Sequence, residues 1–396
     1  MEPALDPLFD ELTVENLRRR PGSKWRVDPD VIPASVADMD FPVAPVIADA
    51  IEHTVRHGDL GYPRWEEVHP LRTTFADRMR ERYGWAVDPA DVREHTDVVQ
   101  GVQVLLHLGT APGDAVAVHS PTYPPFHHTV GAMGRKRVDV PFLRTPAGWS
   151  ANTAGLADAV AAHDCRALLL VNPHNPTGRV LTRDELAEIA AIARRHDLLV
   201  ISDEIHAELA FAPHRHVPFA SLDDDTAART VTLTSASKAF NLAGLRCSVA
   251  HFGPRRLLTL RDAEPTELYG AVGTLSVVAA VAAWRDGADW QARLLRVLDR
   301  NRRRVAAAVA SWTHDPDPMP EATYLYWFCA DALGLGDDPL DEVLTRARVL
   351  LSGGPVFGEE GRRHLRLNYA TGAAVLEDVL GRLGALAQER AEGTRP

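Results

Sequence analysis

Lysine is nearly absent from this chain: of 43 basic residues only Lys24, Lys136 and Lys238 are lysine, and the rest are arginine. A guanidinium stays protonated and forms no imine, so any chemistry that needs a reactive amine is confined to three positions. Cysteine is equally scarce. Cys165, Cys247 and Cys329 lie far apart with no Cys-x-x-Cys pair, which excludes a disulfide framework and a cysteine-based zinc site. Long apolar runs are missing too. The longest stretch, Ala271 to Trp284, is shorter than the ~20 residues a membrane helix needs and reads as a buried helix. The first residues, Met1-Glu-Pro-Ala-Leu-Asp, lack a basic-then-apolar signal pattern, so a cytoplasmic protein with no membrane partner is expected. Positive charge is in deficit, with a formal net charge of -11. That argues against nucleic acid as a partner, because binding it needs a basic face to displace counterions. The Arg18-Arg19-Arg20 cluster reads as solvated.

What is present describes an ordinary globular chain: 396 residues, 45% hydrophobic and 24% charged, long enough for two packed domains. Residues 1–45 are polar and proline-punctuated, and predict an extended arm packing with the smaller domain. Residues 46–285 alternate short apolar runs with helical stretches, the pattern of an α/β large domain with a mainly parallel central sheet flanked by helices. Residues 286–396 open with an Arg-rich helix and carry strand-like stretches at 324–328 and 364–368, predicting a smaller α+β domain.

Three runs in the large domain matter most. Ala167 to Val171 is continuously apolar, as in a strand covered on both faces, and breaks at Asn172-Pro-His-Asn-Pro-Thr-Gly178. Thr182 with Glu185 then predicts a capping box. The strand Leu198 to Ile201 ends at Ser202-Asp-Glu-Ile-His206, and Thr230 to Thr234 ends at Ser235-Ala-Ser-Lys238. Each run places polar residues at the C-terminal end of a strand, where open α/β sheets bind ligands. Asn175, Asp203, Ser235 and Lys238 are therefore expected to converge. Lys238 has the small polar neighbours of a pocket lysine, whereas Lys24 and Lys136 read as solvated surface.

Taken in order, Asn-Pro-x-Asn-Pro-Thr-Gly, Ser-Asp-Glu, Ser-x-Ser-Lys and Arg-x-Asn resemble the motifs of fold-type I pyridoxal-phosphate enzymes of the class I/II aminotransferase superfamily. The nearest resemblance is to the cystathionine β-lyase-like C–S lyases. It is carried by Gly22-Ser-Lys-Trp25, Val36-Ala-Asp-Met-Asp-Phe41, Gly61-Tyr-Pro-Arg-Trp65, Asp203-Glu-Ile-His206, His214-Arg-His-Val-Pro-Phe-Ala-Ser-Leu222, Ala322-Thr-Tyr-Leu-Tyr-Trp327 and Leu365-Arg-Leu-Asn-Tyr-Ala370.

The resemblance implies pyridoxal 5'-phosphate as cofactor. It implies Lys238 as covalent anchor and Cα base, Asp203 as partner of the ring nitrogen, Asn175 as donor to the ring oxygen and Tyr123 as the stacking aromatic with a catalytic role. His206 stands where aminotransferases carry a tyrosine, and whether it shares the work of Asn175 is left open. Gly101, Val102, Ser235 and Arg246 are implied at the phosphate, joined by Tyr62 from the partner subunit of a homodimer. Substrate contacts fall to Arg366 as carboxylate clamp, to Tyr62, and to an aspartate expected at position 39. His127-His128 and His214-x-His216 gain no completing ligand, so no metal is expected.

The expected reaction is β-elimination of an L-cysteine S-conjugate to a thiol, pyruvate and ammonia. Pro33-Ala34-Ser35 stands where relatives usually carry a bulkier pair ending in tryptophan, which predicts a roomier entrance for a large conjugate. Arg246, where many C–S lyases carry an uncharged residue, keeps an aminotransferase as the alternative. A decarboxylating, oxidatively deaminating enzyme of specialised metabolism is a further one. A cofactor-binding regulator is the non-enzyme reading, opposed by an arm before residue 45 too short and proline-broken for a DNA-binding domain.

Overall fold

A computed structural model describes residues 5–393 apart from 59, 64, 66–67, 146–147, 266–267 and 337–338. Its centre is a seven-stranded sheet of β1 (Val92–His95), β2 (Ala115–Ser120), β3 (Lys136–Pro141), β4 (Cys165–Val171), β5 (Leu199–Asp203), β6 (Thr230–Thr234) and β7 (Ser248–Phe252). The spatial order is β1-β7-β6-β5-β4-β2-β3. Strands β3, β2, β4, β5 and β6 run parallel, and only β7 opposes its two neighbours. Five of seven residues of β4 are a consecutive buried run, as its unbroken apolar sequence requires when helices cover both faces.

Helix α1 (Val98–Gly109) follows β1, and α2 (Pro124–Ala132) follows β2. Helix α3 (Arg183–Arg195) starts at the predicted capping box, with Thr182 and Glu185 satisfying each other's backbone N–H groups. The apolar stretch near 271–284 forms α4 (Thr274–Asp286), and the Arg-rich segment forms α5 (Ala288–Trp312). Strands β8 (Leu325–Cys329), β9 (Ser352–Gly353) and β10 (His364–Asn368) make a second, antiparallel sheet in the order β8-β10-β9. Among the described residues no helix is long and apolar enough to cross a membrane.

The N-terminal arm departs from the extended course expected of it. Asp6 and Thr13 cap two short helices, Pro7–Asp10 and Val14–Arg18. Asp10 then forms a buried pair with Arg300 of α5 at 2.6 Å. Arg18 and Arg20, read as solvated, instead donate to the backbone carbonyls of Pro29, Val31 and Asp40.

Lys24 is a second correction. It is 7% exposed, with Nζ 2.9 Å from Asp40 Oδ1 and 3.0 Å from the Asp38 carbonyl. Polar neighbours in sequence suggested solvent, but Asp40 folds over the ammonium and Trp25 Nε1 donates to the same carboxylate oxygen at 2.7 Å. Removing one partner of a buried pair strands the other charge. Lys24→Met should therefore lower stability by about 3–5 kcal/mol, and adding Asp40→Asn should restore part of it. A urea-unfolding midpoint unchanged in Lys24→Met would refute this.

Candidate active site

The register of the sheet brings three strand ends level. Val171 pairs with Asp203, and Asp203 with Leu233, so the residues just beyond them emerge side by side. Chain order reverses between β2 and β4, and that switch point opens a crevice at the C-terminal ends of the strands. A cavity of about 370 Å³ lies there. Tyr123, Asn175, Asp203, His206, Ser235, Lys238 and Arg246 all line it, as do the half-buried Cys247 and the start of α1.

Burial sets the electrostatics of this cavity. It pushes the Lys238 amine down to about 8, because the charged form loses its water. Nζ donates to the Ala37 carbonyl at 2.7 Å. Burial pushes Asp203 up to about 7; its Oδ1 accepts the Ile205 N–H at 3.0 Å. His206 falls to about 3 for the same reason and is neutral, with Nδ1 buried and unpartnered. Burial raises the Tyr123 hydroxyl, and its ring stands edge-on to Phe126 at 5.3 Å.

Arg366, on β10, is 5% exposed, which excludes a surface ion pair. Its Nη1 donates to Asn175 Oδ1 at 2.9 Å and its Nη2 to the Ser35 carbonyl at 3.1 Å, while Nε is buried without a partner. Among the described residues no carboxylate pairs with it. Burial lowers its pKa to about 10. A buried guanidinium lacking an anion has free capacity for a planar carboxylate.

Three expected site positions need correction. Position 39 is Met39, a core residue at 4% exposure, and offers no polar side chain to a substrate. Gly101 and Val102 lie inside α1, where Gly101 N–H is already donated to the Asp97 carbonyl at 3.0 Å. The helix starts at Val98, so the N–H groups free at its end belong to its first turn, and Val98, Val99 and Gln100 line the cavity. Gly101 serves packing instead: a Cβ there would stand 2.6 Å from Leu233 Cδ2. The pattern Asp97-x-x-Gln100 signals the true start, and Asp97 Oδ1 does accept the Gln100 N–H at 2.8 Å. Tyr62 is fully exposed and lies outside its own chain's cavity.

At the same end, Ser235 Oγ donates to the Cys247 carbonyl at 2.5 Å and accepts the Ser237 N–H at 3.0 Å. Arg246 pairs with Asp97, so the cation expected at the phosphate already has a carboxylate beside it. Cys247 is a thiol, pushed up to about 12 by burial.

Sequence reasoning missed how the strap Ser35 to Phe41 is held. Each of its seven carbonyls accepts a side-chain hydrogen bond. The donors are Arg366 and Ser352 at Ser35, Asn368 at Val36, Lys238 and Tyr324 at Ala37, and Lys24 and Asn368 at Asp38. Asn241 donates to Met39 and Phe41, and Arg20 to Asp40. Asn368 stood in a quoted motif, but nothing local showed that its amide would span two carbonyls. Among the described residues no group of three His, Cys, Asp or Glu side chains could hold a metal ion.

The family Aminotransferase class I and II matches residues 29–383. Cystathionine beta-lyase PatB of Bacillus subtilis is 33% identical over 360 residues, covering 90% of this chain and 92% of PatB. The PLP-bound C-S lyase from Staphylococcus hominis superposes with a TM-score of 0.87 at 27% identity, over 94% of this chain and 97% of that one. Cystalysin from Treponema denticola, whose crystal structure contains pyridoxal 5'-phosphate, gives 0.88 at 28% identity, over 98% of this chain and all of the other.

Lys238 should be the fastest lysine to react with an amine-directed reagent in the ligand-free chain. Only the neutral amine attacks, so its rate should rise with pH through about 8 and then level. Exposed Lys136 serves as the internal control for reagent reactivity at each pH. Peptide mapping across a pH series measures both, and a Lys238 rate still climbing above pH 9 would contradict the lowered pKa.

Proposed function

The chain belongs to the class I and II aminotransferase family, and from that premise we propose that it is a pyridoxal-phosphate-dependent C–S lyase acting on L-cysteine S-conjugates. Similarity to PatB and to the Staphylococcus hominis C-S lyase supports this choice of reaction. The carrying observation is a set of three desolvated ionisable groups without ionic partners: Lys238 and Asp203 line the cavity, and Arg366 donates to Asn175, which also lines it.

The cavity fits the cofactor on its own chemistry. Asp203 is a buried carboxylate whose pKa is raised by desolvation, with no cation in hydrogen-bond contact among the described residues, and a protonated ring nitrogen would supply one. The α1 N-terminus, Ser235 and Arg246 supply N–H, hydroxyl and guanidinium groups for a phosphate. Asn175 would face the ring oxygen, with His206 nearby, and Tyr123 would cover the ring. When bound, pyridoxal 5'-phosphate supplies an electron-withdrawing ring that stabilises negative charge at the substrate Cα.

The chain's own residues do the rest. Arg366 binds the substrate carboxylate through its planar fork and so fixes which Cα bond faces the ring. Lys238 Nζ, with a pKa near 8, can take up and return a proton at Cα close to neutral pH. Half-buried Tyr123, whose pKa desolvation raises, keeps its hydroxyl protonated and offers a hydrogen bond within the cavity. The overall change is hydrolytic: an L-cysteine conjugate and water give a thiol, pyruvate and ammonia. The Ser35 carbonyl accepts from Arg366, and the small side chain of Ser35 beside the proposed carboxylate clamp supports a conjugate bulkier than cystathionine.

The assembly we propose is a homodimer, with Tyr62 of each subunit reaching the other's phosphate; its full exposure in the single chain supports this. Residues 46–285 form the cofactor-holding domain in this reading, and 286–396 the smaller domain. Three unpaired cysteines support a cytoplasmic location.

Incubation with cystathionine or an S-alkyl cysteine, without any keto acid, should release thiol and pyruvate over many turnovers. A single stoichiometric turnover that a keto acid restarts would make the enzyme an aminotransferase. Lys238→Ala should lower turnover by about 100- to 10,000-fold. Mixing inactive Tyr62→Ala and Lys238→Ala subunits should restore activity, since one site per mixed dimer is complete. No recovery would refute the shared site.

A further inference from the structure

Behind the cavity, on the other face of β5, lies a polar cluster that the proposed chemistry does not use. Side chains alternate faces along a strand, so Asp203 lines the cavity while Glu204 turns away from it. Glu204 and His216 have side chains only 3% and 0% exposed, and His216 Nε2 lies 2.8 Å from Glu204 Oε2. The other carboxylate oxygen accepts from Ser202 Oγ and the Phe219 N–H, both at 2.9 Å. His216 Nδ1 lies 3.4 Å from Asn172 Nδ2.

The network assigns its own protons. Leu181 N–H donates to Asn172 Oδ1 at 3.0 Å, so the Asn172 amide turns its N–H toward His216. Nδ1 then accepts, and Nε2–H donates to Glu204.

The cluster touches all three strand ends. Asn172 opens the turn that carries Asn175, and its N–H donates to the Asp203 carbonyl at 3.0 Å. Glu204 N–H donates to the Leu233 carbonyl at 2.8 Å, and Thr234 Oγ1 to the Glu204 carbonyl at 3.2 Å. Lys238 follows Thr234 by four residues.

We propose that Glu204 and His216 are positioning residues, which lock the Asn172 turn to the Asp203 strand so that the ring-nitrogen and ring-oxygen partners are set as one unit. This rests on the reading of Asp203 and Asn175 as cofactor partners. The geometry has an electrostatic side as well: the Glu204 charge helps keep Asp203 basic, adding to the larger effect of burial. Removing the His216 donor leaves a buried carboxylate under-satisfied and unties the turn.

The test uses the full chain stripped of cofactor and titrated with pyridoxal 5'-phosphate. His216→Phe keeps the ring shape without polar atoms, whereas the carboxamide of His216→Gln can again donate to Glu204 and accept from Asn172. His216→Phe should bind cofactor about tenfold or more weakly, a change of about 1.4 kcal/mol. It should also show a smaller cofactor-induced rise in Tm and altered visible circular dichroism of the bound ring. His216→Gln should recover most of each. A merely structural residue would lower Tm equally with and without cofactor.

Cofactor affinity of His216→Phe within about twofold of wild type, or a His216→Gln as weak as His216→Phe, overturns the proposal. Borohydride trapping separates the two levels of inference. Wild type tagged at Lys238 with unaffected His216 variants refutes the positioning role alone; wild type with no tag at Lys238 removes the cofactor reading and this one with it. Should His216→Phe fail to fold, Asn172→Ala, which removes the bridge to His216 together with the acceptor of the Leu181 N–H, is measured in the same way with the same deciding outcomes.

Discussion

Parallel register is the constraint on which the rest of the molecule depends. Because β4, β5 and β6 end level, with Val171, Asp203 and Leu233 in line, three turns of unlike sequence deliver Asn175, Asp203 and Lys238 into one space. A slip of one residue in β5 would exchange Asp203 with Glu204, since neighbouring side chains point to opposite faces. The continuous burial of β6 and of the last five residues of β4 and the backbone bonds from Asn172 and Glu204 across the strand ends hold that alignment.

Around this frame the protein buries ionisable groups and withholds their partners. Lys238, Asp203 and Arg366 hydrogen-bond to neutral backbone, amide or hydroxyl groups rather than to one another, and Arg366 Nε has no partner. Desolvation moves Lys238 and Asp203 to values one unit apart, about 8 and about 7, so both can change protonation near neutral pH. Structural ion pairs elsewhere do the opposite: Lys24 with Asp40, Arg78 with Glu208 and Arg300 with Asp10 are buried and fully paired. The contrast distinguishes charge used for holding the fold from charge kept available to a ligand.

The strap Ser35 to Phe41 connects the two uses. Lys24, Arg20 and Asn241 fix its far half, while Lys238 and Arg366 donate to its near half. Its position is therefore tied to the groups that would meet cofactor and substrate. The second sheet contributes through β10, which places Arg366 and Asn368 two residues apart on one face.

Local pattern in the chain determined a good deal. An unbroken apolar run means a covered strand, Thr182 with Glu185 means a helix start, and a lysine among small polar residues at a strand end means a pocket amine. Each of these is a rule about neighbours in sequence, and the α/β sheet, the capping box and the convergence of Asn175, Asp203, Ser235 and Lys238 follow from such rules. Where the reading went astray at α1, the local signal Asp97-x-x-Gln100 was present but overlooked. Other facts had no local signal at all. Lys24 became a buried cation because Asp40 folds over it, and His216 became a bridge because Glu204, the residue just past β5, meets its ring. Arg366 lost its solvent and kept no anion because the strap and β9 close around it. Burial and partnership are decided by residues hundreds of positions apart, so only the tertiary structure could assign them.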